Sequence, residues 1–345
     1  YSTIGGNIAT NAGGLRGAKY GVTRDYVVAL EGYLPTGEPV KWGRPLRKDA
    51  SGFNLRDLWV GSEGMLGVVT KATLRLLPEP AARRTALAAF SNEAAALDTV
   101  REILRSRLMP SVLEFLDRQS VACAERFVGE TMMPGFPEAS LLLIELDGHP
   151  AQVAEDGERL AGLLEPAAAA VTFAQSPDEA EALWRARRKC SPAMFEMGNT
   201  KLNEDIVVPP GAYHELIAAT LAIKAATGLA TPTFGHAADG NFHVHIMYDH
   251  GNADQERAAA EALHQLMEKV VALGGTISGE HGIGLAKSPF LRLQHSEAEL
   301  GAMQRIKAAL DPNNVLNPDK VFAPFPLWEQ PRDWTIVFPW DHRHS

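Results

Sequence analysis

Cysteine is scarce: the 345-residue chain has only Cys123 and Cys190. Two cysteines cannot build a disulfide framework, and neither sits in a metal or cluster spacing. Any iron–sulfur centre therefore belongs elsewhere, and a reducing, cytoplasmic compartment is expected. Positive charge is also short. Against 42 Asp and Glu there are 33 Lys and Arg, scattered along the chain, for a formal net charge of -9. That balance argues against nucleic acid or a bulk anionic membrane as the main partner. No apolar run reaches the roughly 20 residues of a membrane span. The N-terminus has neither signal- nor transit-peptide character, no repeat of fixed period occurs, and only residues 167–170 are low in complexity.

What remains is an ordinary globular composition, 46% hydrophobic and 22% charged, with length for two domains. The chain opens on Tyr1 rather than Met and runs at once into a functional-looking loop, so it is expected to be a fragment. Residues 2–21 hold six glycines among small polar residues. The stretch reads as too glycine-rich for a helix; it suits a loop lying against phosphate, ribose or a flat ring, the alternative being a flexible surface loop. It is not a GxGxxG fingerprint, because no strand precedes it. Residues 26–34 and 38–42 predict a hairpin closed by Pro35-Thr36-Gly37. A glycine-punctuated loop, 57–67, then leads into a strand over 68–77, and Pro78 and Pro80 mark a domain boundary.

From about residue 85 strands and helices alternate: strands over 87–90, 111–117 and 140–146, helices from Ser91, over 118–128 and over 151–164. The pattern predicts an α+β domain, an open sheet with helices on one face. Ser176-Pro177-Asp178-Glu179 is a capping box that starts a helix bearing Trp184 and the basic run Arg185, Arg187, Arg188, Lys189. Such a run is usually a solvated face; the functional alternative is a guanidinium clamp on a carboxylate. Residues 201–209 predict a strand and 213–226 a helix.

Two clusters carry the chemistry. Gly235-His236-Ala237-Ala238-Asp239-Gly240-Asn241-Phe242-His243-Val244-His245 reads as strand, tight turn and strand, with His243 and His245 on one face. After a helix over 254–273, Ser278-Gly279-Glu280-His281-Gly282-Ile283-Gly284 follows, with Thr276 to Glu280 expected as a short strand. A histidine is more often a hydrogen-bonded core or surface residue, and the chain has 11. Two imidazoles and a carboxylate with an open position nevertheless form a usual catalytic metal set, which His236, His243 and Glu280 could supply. Glycine wraps both clusters and argues against plain packing.

Taken as a pair, IGGNIATNAGG and GSEGMLGVVT resemble the second half of the flavin-binding domain of the vanillyl-alcohol-oxidase-type FAD oxidoreductases. The resemblance implies that Ile4, Gly6, Asn7, Thr10, Gly13, Gly14, Glu63, Gly67 and Val68 lie along FAD. It adds Asn317, in the C-terminal signature NVLNPDK that folds back on the flavin domain. The family's earlier glycine-rich pyrophosphate loop has no counterpart here, so the FAD site is incomplete. GHAADGNFH with SGEHGIG is similar to the metal-dependent D-2-hydroxy acid dehydrogenases of this group, which include D-lactate dehydrogenase, the glycolate oxidase flavoprotein subunit and D-2-hydroxyglutarate dehydrogenase. The implied fold is α+β: the C-terminal half of the FAD-binding domain (1–80), a substrate domain with an antiparallel sheet flanked by helices (81–322), and a Pro- and Trp-rich tail (323–345) without an assigned role.

The same resemblance implies oxidation of a D-2-hydroxy acid to the 2-oxo acid. His236, His243 and Glu280 would hold a divalent metal, zinc first, with manganese or iron as alternatives. His281 would be the base, Arg187, in the family's LWxxR pattern, the carboxylate clamp, and FAD the hydride acceptor. His245 is the weaker candidate, expected either to support a ligand from behind or to be structural. Where members acting on a dicarboxylate carry a lysine, Asn203 stands here, with Lys201 nearby. Electrons would pass to an iron–sulfur subunit, an electron-transfer flavoprotein or a quinone, in the cytoplasm or at the inner face of the membrane; a homodimer is compatible. The competing readings are a noncatalytic flavoprotein-like subunit of an electron-transfer complex and a structural zinc module, which would show a closed four-ligand site.

Overall fold

The computed structural model describes residues 2–46 and 48–324; most of the expected tail, from residue 325, lies outside the described residues. Two antiparallel sheets organise the chain. The first contains β1 (Val27–Tyr33), β2 (Pro39–Gly43) and β3 (Val68–Leu74) in the order β2-β1-β3. The second contains β4 (Ala82–Phe90), β5 (Val112–Leu116), β6 (Ser140–Gly148), β7 (Ala170–Phe173), β8 (Thr200–Val207), β9 (Thr233–His236) and β10 (Asn241–Tyr248). Its order is β7-β4-β6-β5-β9-β10-β8. The predicted α+β class is observed. Among the described residues no helix is long and apolar enough to cross a membrane.

Helices cover both faces of the large sheet, not one. On β4, Ala86, Ala88 and Phe90 enter one core while Leu87 and Ala89 enter another, as the two-residue period of a strand requires. The first core is closed by the helices Glu93–Arg105, Pro150–Leu164, Tyr213–Thr227 and Ala253–Ala272. The second is closed by Arg118–Val128 and Pro177–Ala193. The signal was the apolar run Leu141–Ile144 in β6, a strand buried on both faces from Ser140 to Asp147; a strand wet on one side would alternate.

Three local expectations are corrected. Ile4–Thr10 is a helix despite its two glycines: the Thr3 hydroxyl accepts the Gly6 N–H at 3.0 Å, and Asn11, left-handed at φ 54°, closes the far end. A good cap at each end offsets two poor helix formers in the first turn. Leu55–Trp59 is likewise a short helix capped by Asn54 within the expected loop. Residues 276–280 form no strand; Thr276 makes one isolated bridge to Val207, and beyond it the N–H groups turn to a side chain. The alanine-rich patch ends in β7, an edge strand.

Asp117 ends β5 and caps Arg118–Val128, accepting the Ser120 N–H at 2.7 Å. Burial raises its carboxyl to about 7, more than that hydrogen bond lowers it. A carboxyl raised in the folded state is neutral in both states below its ordinary pKa, and its ionisation opposes folding increasingly up to about 7. Asn also caps well. Asp117→Asn is therefore expected to gain on the wild type between pH 4 and pH 8, by about 1–3 kcal/mol. Urea titrations at the two pH values measure this, and a constant difference would remove burial as the cause.

Candidate active site

Antiparallel partners share a face, so the register of the large sheet builds the site row by row. One row runs Glu114–His236–Asn241 across β5, β9 and β10. The next runs Leu116–Phe234–His243–Asp205, and a third pairs His245 with Asn203. Glu114, His236, His243 and Asp205 are all buried. The loop after Ile277 supplies the rest.

That loop is shaped by Asp205. Its Oδ2 accepts the N–H groups of Gly279, Glu280 and His281 at 3.0, 2.8 and 2.9 Å. Asn241 Nδ2 holds its other oxygen at 2.6 Å. Burial opposes ionisation, but Lys287, His281, His243 and these N–H donors outweigh it and keep the carboxyl far below the usual range. Lys287 Nζ donates to the carbonyls of Asp205 and Ile277, each at 2.7 Å. A Cβ on Gly279 would stand 2.4 Å from Asn241 Nδ2 and 2.7 Å from Asp205 Oδ1, so the turn admits only glycine. Consecutive residues Glu280 and His281 thereby face one site, which a flat strand would forbid.

His236, His243 and Glu280 converge, with one ligand atom of each within 4.8 Å of the others. Both Nε2 atoms address the same carboxylate oxygen, His243 at 3.6 Å and His236 at 3.8 Å. These distances exceed a hydrogen bond. Donors around a common ion at roughly 2.0–2.2 Å would stand only slightly closer together. Burial, with the charge of His236, lowers His243 to about 4 and keeps it neutral, as a ligand must be. His236 gives its Nδ1 side to Glu114 in a short hydrogen bond, leaving Nε2 for the cluster, the usual carboxylate–imidazole–metal order. Without a metal, burial pushes His236 down, yet Glu114 and Glu280 outweigh it and raise the ring. Among the described residues no cysteine and no fourth protein group joins the set, so the donors fit an open divalent site.

Glu114, which the sequence reading missed, is the hinge of the electrostatics. Its Oε2 takes Arg187 Nε at 2.8 Å and Nη2 at 2.6 Å. Burial disfavours its charge, but Arg187 and His236 dominate and lower it. Arg187 also covers the Phe234 ring at 4.4 Å, whose plane stacks on His245 at 4.8 Å. A cleft of about 750 Å³ opens beside this group, with Arg16, Glu114, Glu145, Trp184 and Arg187 in its wall. Arg16 and Trp184 hold the two oxygens of Glu145 at 2.7 and 3.2 Å, fixing the glycine-rich segment to β6. His281 is the open member: its side chain is 42% exposed, stacks on His243 at 5.6 Å, and places Nε2 3.8 Å from Glu280.

His245 stays outside the cluster, fully buried, its ring kept neutral by burial. Lys201, two positions from Asn203 on the same face of β8, donates to Ser191 Oγ at 3.0 Å, and burial lowers it to about 8. The residues expected along a flavin divide. Gly13 and Gly14 lie against Glu280, since a Cβ on either would come within 3.9 and 3.8 Å of its Oε2. Ile4 is 56% exposed and Val68 50%, while Gly6, Asn7 and Thr10 belong to the Ile4–Thr10 helix. Gly67 is glycine because the Trp59 ring would meet a Cβ at 2.3 Å. Glu63 and Asn317 turn their side chains to protein: Asn317 Nδ2 donates to the Glu63 carbonyl at 2.9 Å, and the Glu63 carboxylate binds the Ile283–Gly284 backbone.

Comparison with known proteins matches residues 79–321 to a family described as FAD linked oxidases, C-terminal domain, and residues 1–43 to an FAD binding domain. The chain is 42% identical to the glycolate oxidase subunit GlcD of Bacillus subtilis, over 93% of this chain and 68% of that one. It is 35% identical to a D-lactate dehydrogenase of Anaerostipes hadrus, over 93% and 69%. With the glycolate oxidase subunit GlcD of Escherichia coli (strain K12) the identity is 36%, over 92% and 63%. It thus spans about two thirds of these relatives. Among solved structures, p-cresol methylhydroxylase with substrate bound superposes with a TM-score of 0.75 at 15% identity, covering 95% of this chain and 70% of that chain. An alkyldihydroxyacetonephosphate synthase gives 0.65 at 18%, covering 92% and 57%. At such identities these two share the fold.

The Arg187–Glu114–His236 chain has a direct energetic test. Glu114→Ala leaves the half-buried Arg187 guanidinium and the buried His236 without their shared partner and is expected to cost about 2–4 kcal/mol in urea unfolding. Adding Arg187→Met should recover part of the loss. Wild-type stability in the single variant would show that the three groups are not coupled.

Proposed function

The chain belongs to the FAD-linked oxidases, and from that membership we propose that it carries the substrate half of a flavin- and metal-dependent D-2-hydroxy acid dehydrogenase. One observation carries the reading: His236, His243 and Glu280 converge with an open side, with the exposed His281 imidazole and the half-buried Arg187 guanidinium nearby. Relatives named glycolate oxidase subunit and D-lactate dehydrogenase support the substrate class. Zinc is the first choice of metal, with manganese or iron served by the same donors.

Oxidising a 2-hydroxy acid removes the hydroxyl proton and the α-hydrogen from one H–O–C–H unit. When bound, the metal supplies a lowered hydroxyl pKa, and FAD supplies a hydride acceptor at N5. The residues do the remainder. His236, His243 and Glu280 hold the ion, and Glu114 fixes the His236 ring through Nδ1. Arg187 keeps Nε and Nη2 on Glu114, and its Nη1 amino group is proposed for a substrate carboxylate. His281, at the solvent rim and 3.9 Å from Asp205 Oδ2 through Nδ1, is proposed to take the hydroxyl proton on Nε2. Electrons are then expected to leave for a non-NAD acceptor, an iron–sulfur subunit, an electron-transfer flavoprotein or a quinone, in the cytoplasm or at the inner membrane face.

The test pairs turnover with metal content. His281→Ala should lower D-2-hydroxy acid oxidation, followed with an artificial electron acceptor, by roughly 10²–10⁴-fold while metal per chain stays near the wild-type value. Loss of the metal from that variant would make His281 a ligand instead of a base. A wild-type chain that takes up no stoichiometric metal would end the catalytic reading.

A further inference from the structure

Glu63 sits on the flavin-side loop, yet its carboxylate serves the metal-side loop. Oε1 accepts the Ile283 N–H at 2.7 Å and Oε2 the Gly284 N–H at 2.8 Å. Together with Asp205, which holds residues 279–281, it binds five of the six N–H groups from Gly279 to Gly284. Gly282 turns between the two carboxylates at φ 82°, and a Cβ there would lie 2.9 Å from Glu63 Oε1. Glu280 and His281 are thus strung between an anchor on β8 and one on the first domain.

The backbone of Glu63 is held as firmly. Its own φ is 51°, a left-handed conformation uncommon outside glycine. The Glu63 N–H donates to the Ala9 carbonyl at 2.7 Å, in the Ile4–Thr10 helix, and the Gly61 N–H donates to Ile8 at 2.8 Å. Its carbonyl receives Asn317 Nδ2. One residue therefore joins the glycine-rich helix, the returning C-terminal segment and the loop that carries Glu280. Spending a carboxylate on two loop N–H groups makes sense where the loop's position matters to a fraction of an ångström, as a ligand loop's does.

We propose that Glu63 is a positioning residue for the metal site: it sets where Glu280 stands relative to His236 and His243, and so ties ion affinity to the flavin-side loop. This rests on the metal reading given above. Removing a group that orients a ligand typically weakens metal binding by about 10–100-fold, whereas a purely structural contact would change stability and leave the bound ion's coordination alone.

The test uses Co²⁺, whose visible ligand-field bands report its coordination, titrated into the full chain and into Glu63→Gln. The amide retains one acceptor but turns an NH₂ towards the other loop N–H. Gly282→Ala presses the same contact from the loop side and serves if Glu63→Gln folds poorly. The expected result is at least about a tenfold weaker Co²⁺ affinity, with ligand-field bands shifted towards those of Glu280→Gln. Wild-type affinity and bands in both variants would overturn the inference while leaving the metal reading intact. A wild-type chain that binds no Co²⁺ would remove the metal reading, and this inference with it.

Discussion

The site depends on one buried carboxylate. Asp205 stands on β8, the edge strand of the large antiparallel sheet, paired with His243 on β10, and gathers three successive N–H groups from a loop more than seventy residues away. Backbone donors that would otherwise need a neighbouring strand are satisfied at one oxygen. The chain is then free to turn at once, and two adjacent side chains reach one centre. Lys287 locks the same point from behind by bridging the carbonyls on either side. Without that charge on β8, Glu280 would have no fixed place beside His236 and His243.

Around this anchor the charges are arranged so that one stays unmatched. Glu114 is neutralised by Arg187, and Asp205 by Lys287 and its N–H donors. Glu280 faces His243, which burial keeps neutral, and His236, whose ring the neighbouring carboxylates Glu114 and Glu280 raise against its burial. A divalent cation would displace the His236 proton and balance the remaining carboxylate.

The motif residues were legible because their chemistry is local. His236, His243 and Glu280 can be named as a ligand set from their residue types and flanking glycines, and they do converge; the one-face pair His243 and His245 does not act together, since His245 stays outside the cluster, and Arg187 stood out only through the family's LWxxR pattern. Glu114 was not read, although a lone acid inside the buried strand VLEFL is itself a signal, since a charge in that position needs a partner. Asp205 and Glu63 were hidden for a different reason. Their role is to bind backbone N–H groups far away in sequence, and nothing in the residues 279–284 says which carboxylate will do it. The same cause explains the misread strand at 276–280. Helices on both sheet faces could have been inferred from the unbroken apolar run of β6, whereas the helix at Ile4–Thr10 depended on caps that its two glycines masked.

The central feature of the proposed site is an ion held by two imidazoles and one carboxylate. X-ray absorption at the metal K-edge of the purified chain, loaded with zinc, addresses this directly. It should show two histidine nitrogens at about 2.0–2.1 Å and oxygen at about 2.0–2.2 Å with no sulfur, and lose the histidine signature when His236 and His243 are both replaced by Ala. A spectrum of fully hydrated zinc, or of sulfur ligation, would contradict it.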